Sequence, residues 1–139
     1  MSALSSALAA YLQNSDVIGP LVSGVISGRN FDLQDDLLAT SPFTCISVVD
    51  LISIERPYFN TRNSGDVQFS GQIEVSCISK ASEAICKDLA DVVRALLWTT
   101  RTVPSNGANL PMRVSSIRQD PDSDYELQIW KEILTIDLI

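Results

Sequence analysis

At 139 residues, 45% hydrophobic and 19% charged, the chain is long enough for one domain with a real core and too short for two. Its net charge of −7, from 17 acidic and 10 basic side chains, makes a surface that repels phosphate backbones. The arginines are scattered, so sequence-independent nucleic-acid binding is excluded, and no apolar run approaches the roughly 20 residues that cross a bilayer.

The first ten residues are apolar but lack the positive start of a secretory signal. Leu4, Leu8 and Leu12 recur at helical spacing, which predicts an amphipathic helix capped by Ser2 and ending near Gln13. One further helical turn is expected within Val17–Val22, broken by Gly19-Pro20. Val25 and Ile26, between Gly24 and Gly28, read as a minor strand, and Asn30–Pro42, with its acidic Asp32–Asp36 run, as a solvated loop. Phe43–Ile54 is rich in Ile, Val and Thr and reads as a long strand. Apolar residues on both of its faces predict helices on one side and neighbouring chain on the other.

Arg56–Asp66 is expected to be a polar loop of about a dozen residues, more than a hairpin needs. It holds Arg56, Tyr58, Phe59 and Arg62, and aromatic and arginine side chains are those enriched at interface hot spots. These four are the leading interface candidates, with Arg101 in the Thr99–Leu110 segment a weaker fifth; that segment otherwise reads as a simple connector.

Val67–Cys77 alternates cleanly. Val67, Phe69, Ile73, Val75 and Cys77 face one way, and Gln68, Ser70, Gln72, Glu74 and Ser76 the other. Ser79 or Ser82 then caps a helix whose Ile85, Leu89, Val92 and Leu96 form one stripe, ending near Trp98. Burying that stripe contributes roughly 6–12 kcal/mol before entropy, whereas the Glu83–Lys87 pair contributes about 0.2–0.5 kcal/mol. Packing therefore decides the helix. Leu110–Ile117 and Glu126–Leu138 read as closing strands joined through an acidic turn, Asp120–Asp124. The expected fold is a single α+β domain spanning 1–139, with two main helices packed on an antiparallel β-sheet and a long strand-connecting loop.

The three cysteines, Cys45, Cys77 and Cys86, cannot all pair within one chain and are expected to be reduced core thiols. Their spacing and the absence of histidine argue against a metal site. Asp50, Glu55 and Glu74 are the carboxylates that the strand order brings nearest one another, and they read as ordinary surface acids. No catalytic, cofactor-binding or metal residue is expected, and the chain is read as a non-enzyme.

Several stretches carry a resemblance: Leu4-Ser-Ser-Ala-Leu-Ala-Ala-Tyr-Leu12 with Val17-Ile-Gly-Pro-Leu-Val-Ser-Gly24, the Pro42-Phe43 opening of the long strand, and Gly71-Gln-Ile-Glu-Val-Ser-Cys-Ile-Ser79 leading into Ser82-Glu-Ala-Ile-Cys-Lys-Asp-Leu-Ala-Asp-Val-Val-Arg-Ala-Leu-Leu97. With the closing strand that carries Trp130, the chain resembles the bacteriophage tail completion family, the tail terminator or head–tail joining proteins of long-tailed phages. That resemblance implies a homohexameric ring in the virion, assembled in the host cytoplasm, that caps the tail tube and joins it to the head connector. Its partners would be further copies of itself, the tail tube protein and the connector or neck protein, with genomic DNA only passing through the lumen and no membrane involved. An acidic run lining the lumen would keep that DNA from sticking, although turn chemistry accounts for Asp120–Asp124 without it. The competing readings are a neck adaptor or stopper, or a small interaction module outside phages.

Overall fold

A computed structural model describes residues 3–22, 24–27, 44–57, 67–105 and 107–139. Helix α1 (Ala3–Gln13) leads through a 3-10 turn (Gly19–Leu21) to β1 (Gly24–Ser27), β2 (Thr44–Pro57) and β3 (Val67–Ser79). Helix α2 (Glu83–Thr99), a short β4–β5 hairpin (Thr102–Ser105, Ala108–Pro111), β6 (Val114–Pro121) and β7 (Trp130–Leu138) complete the chain. Five strands form one sheet in the order β1-β2-β3-β7-β6, while β4 and β5 pair separately. The expected α+β architecture is the one observed, with one departure from an all-antiparallel sheet: β1 pairs parallel to β2.

The strand alternation sorts the sheet into two unlike faces. Ile46 lies opposite Cys77 and Val48 opposite Val75, while Val75 and Ile73 lie opposite Leu134 and Ile136 of β7. All of these are buried, in one cluster with Leu4, Leu8 and Leu12 of α1 and Leu89, Ala90, Val93 and Leu97 of α2. Both helices thus cover the same face. On the reverse face Cys45 and Ile78 make a small second cluster with Ile129. The rest of that face is largely polar along Gln72, Glu74 and Ser76, so the helices expected on one side of β2 are there.

Three local expectations are corrected. The buried face of α2 is Cys86, Leu89, Ala90, Val93 and Leu97, and Ile85 is 45% exposed. At about 100° per residue this face is rotated roughly a quarter-turn from the Ile85–Leu89–Val92–Leu96 stripe, leaving Val92 and Leu96 half-buried at its flank. The reason is size: Cys86 and Ala90 are small enough to bring the helix close to the sheet, and Cys86 Sγ reaches the Cys77 carbonyl at 3.2 Å. Leu110–Ile117 is not one strand but the end of β5 and the start of β6, separated by buried Met112. Glu126–Trp130 begins as a turn, and β7 starts at Trp130.

The cap resolves to Ser82, whose Oγ accepts from the Ile85 N–H at 3.1 Å. Ser79 instead hydrogen-bonds Thr44 Oγ1 at 3.1 Å and accepts from Ala81 N–H. The expected pair of Glu83 with Lys87 is present at 3.2 Å and exposed, and hydrogen bonding to Glu83 raises the Lys87 pKa. The Ser2 cap and the Asn30–Pro42 loop with its acidic run lie outside the described residues.

Candidate assembly surfaces

The long connection between β2 and β3 is built differently from the expected loop. Arg56 and Pro57 belong to β2, paired in register with Gln68 and Val67. Strand β7 accompanies β3 only from Ser79 to Gly71, where Leu138 is its last partner. Beyond that point β2 and β3 continue as a two-stranded ribbon without β7, Ile54–Pro57 against Val67–Ser70, while the β4–β5 hairpin packs against β3. Four register pairs at about 3.4 Å per residue give an arm roughly 10–14 Å long. Its base is marked twice: the β2 register shifts between Asp50 and Ile52, and Gly71 holds a φ of 133°. A bulge bends and twists a strand, and a positive φ of that size suits a residue without Cβ. Of the interface candidates, Arg56 is placed on this arm by its backbone, while Tyr58, Phe59 and Arg62 lie outside the described residues.

Arg101 is exposed, but its surroundings are not a connector. The Thr99–Leu110 segment folds as the β4–β5 hairpin, with Val103 buried and Gly107 at φ 80° in the turn. The Arg101 carbonyl accepts from Met112 N–H at 2.8 Å, and the Arg113 carbonyl accepts from Ile139 N–H at 3.0 Å. These bonds gather exposed Arg101, Arg113 and Ile139 at the end of the sheet where α2 finishes, near exposed Trp98.

The opposite end carries a feature that the sequence reading missed. Asp124 and Ile129 exchange main-chain hydrogen bonds at 2.8 and 3.0 Å. Asp124 Oδ1 accepts from the N–H groups of Glu126 and Leu127, and Gln128 takes a φ of 54°. Ser123 Oγ accepts from Lys131 N–H, and Lys131 Nζ lies 3.7 Å from Asp122. This bonded turn holds Tyr125 at 71% and Leu127 at 57% exposure. The expected acidic turn is shifted along the chain: Asp120 belongs to β6 and pairs with Arg118, whereas Asp122 pairs with Lys131 and Asp124 shapes the turn backbone. The available signal was Asp124 itself, since aspartate accepts from main-chain groups two and three residues on.

The thiols are core groups. Cys45, Cys77 and Cys86 are free and buried. Burial pushes Cys45 and Cys86 up to about 11, with the Glu132 charge adding to Cys86, and raises Cys77 too. A thiolate is the nucleophile and metal ligand, and these thiols are held protonated. Among the described residues no group of three or more His, Cys, Asp or Glu side chains could hold a metal ion. Glu74 is half-buried and accepts from Ser76 Oγ at 3.3 Å, while the side chains of Asp50 and Glu55 lie outside the described residues. No helix among the described residues is long and apolar enough to cross a membrane.

No protein-family model matches the chain, and no curated protein matches it. What the geometry offers is three surfaces: the β2–β3 ribbon, an arginine-bearing end and a bonded turn with exposed Tyr125 and Leu127.

Proposed function

We propose that this chain is a non-enzymatic assembly subunit of the phage tail terminator kind. It would form a ring, six subunits by the resemblance, that caps the tail tube and joins it to the head connector while DNA passes through the lumen. The observation that carries the reading is the β2–β3 ribbon, which leaves the sheet at Gly71 and gains nothing from β7 beyond Leu138. Past the end of β7 the ribbon leaves the β3 edge without a strand partner, and such an edge is a ready template for pairing with a neighbouring subunit. A ring is a head-to-tail assembly that needs two different patches on each subunit, and the arm, the turn and the arginine end supply distinct ones. The α+β core and the sequence resemblance are consistent with that role.

Negative-stain imaging of the purified protein with and without tail tubes tests it, together with a phage lacking the protein. Rings seated on tube ends are expected, and the mutant phage should make tails of uncontrolled length or tails that fail to join heads. Normal tails and normal joining in the mutant would overturn the assignment. Rings that bind heads but never tubes would favour the neck adaptor reading.

A further inference from the structure

We propose that the two ends of this domain are mates, the 122–129 turn of one copy docking on the Trp98–Arg101–Arg113 end of the next. This deepens the assembly reading and rests on it, because it names the surfaces that a head-to-tail contact would use. The two ends are opposite in position. Trp130, at the foot of the turn, pairs with Ser79, whereas Leu138 pairs with Gly71 at the far end of the same strands. Helix α2 starts beside the turn, where Cys86 contacts Cys77, and runs back so that Trp98 reaches the Gly71 end.

The two ends are also opposite in chemistry. The turn presents Tyr125 and Leu127 with Glu126 between them, in a stretch bearing Asp120, Asp122 and Asp124 as well. The other end presents Trp98, 47% exposed, with Arg101 and Arg113. The turn end is net acidic, although Asp120 and Asp122 are paired with Arg118 and Lys131, and the other end sets two exposed arginines beside Trp98. Tyr, Trp and Arg are the residue types that dominate interface energetics, and exposed charges mainly select and orient. Like ends repel and unlike ends attract, so a second copy is the partner that both ends fit at once. The hydrogen bonds of the Asp124 turn hold its knobs in place beforehand, which lowers the ordering cost of docking. Such a contact is heterologous and repeats, closing into a ring when successive copies turn through a full circle.

The test uses the full chain and two surface variants, both checked for folding by circular dichroism and thermal melting. Tyr125→Ala/Leu127→Ala disables the turn, and Arg101→Glu/Arg113→Glu disables the arginine end. Light scattering on the parent should show concentration-dependent assembly that weakens with salt, and each variant alone should weaken it at least about tenfold, as loss of a hot spot does. Mixed in equal amounts, the variants should form a dimer that grows no further, since only one intact turn meets one intact arginine end. Folded variants that assemble like the parent, or a mixture that stays monomeric, reject these two surfaces while leaving the ring reading intact. A parent that is monomeric at every concentration overturns both. Mating ends in a protein whose loss leaves phage tails normal would reject the phage role alone.

Discussion

The Gln72 side-chain amide donates to Asp137 Oδ1 at 2.8 Å, joining residues 65 apart in sequence. Ser116 Oγ donates to the other carboxylate oxygen at 2.7 Å. Gln72 and Ser116 are the register partners of Asp137 on either side, so one carboxylate ties β3, β7 and β6 together on the face away from the helices. These donors, with the Arg118 charge adding to them, hold the Asp137 pKa below its ordinary 3.8.

A depressed carboxylate pKa contributes stability that is present above 3.8, the unfolded value, and is lost as pH falls through the lower folded value. The urea midpoint of the parent should therefore drop below about pH 4 more steeply than that of Asp137→Asn. The effect is small because the group is only half-buried and solvent screens it. Parallel midpoint–pH curves for the two proteins would show that the tie contributes nothing.

Leu89 and Ile85 share one stripe by sequence and part company in the structure, one 2% and the other 45% exposed. Leu89→Ala should cost about 2–5 kcal/mol in urea unfolding, whereas Ile85→Ala should stay within roughly 1 kcal/mol, the size of a surface change with some helix-flank contact. Equal losses would put the helix back on its sequence-predicted face.

Native protein at pH 8 should leave Cys45, Cys77 and Cys86 unmodified by an aromatic disulfide reagent over minutes, and all three should react once guanidinium unfolds the chain. The cause is burial, which both blocks the reagent and lifts Cys45 and Cys86 to about 11. A thiol that reacts at the rate of a free cysteine would identify a surface that the fold hides.

Replacing Asn60–Ser64 with a short Gly-Ser bridge leaves both paired stretches of the ribbon intact. Monomer stability should barely change, because loop length alters closure entropy only slightly, while ring formation or tube capping weakens. Gly71→Ala acts at the other end of the arm: forcing a Cβ onto a φ of 133° should cost on the order of 1–3 kcal/mol. Assembly and capping unchanged by the shortened arm would reduce it to a connector.

The strands and helices were legible where side chains of contrasting character alternate, as in Val67–Cys77 and Leu4–Leu8–Leu12. The rotation of α2 was not, because a count of large apolar residues passes over Cys86 and Ala90, whose small size is what lets the helix settle. The β4–β5 hairpin is hidden in a segment that reads as a connector, because Pro104 sits poorly in a strand, although Asn106-Gly107 is a strong hairpin signal. Leu127, one knob of the turn, falls within the expected Glu126–Leu138 strand, since Leu127 and Ile129 alternate with polar neighbours as strand residues do. Exposure of an apolar residue in a turn depends on the bonds that Asp124 makes, and no local pattern reports them.

The position of β7 between β3 and β6 has a consequence for how the protein is made. On a growing chain β6 emerges first and finds no neighbour to pair with, so it waits with its main chain open to water or to another molecule. Arrival of β7 then seats two ladders at once, a local one to β6 across the 122–129 turn and a distant one to β3, and brings Leu134 and Ile136 to the helices. Non-local pairing of this kind slows folding, and half-made chains crowded on one messenger RNA would expose unfinished edges to one another. A mutation that delays β7 would therefore show as aggregation during expression before it showed as a loss of stability.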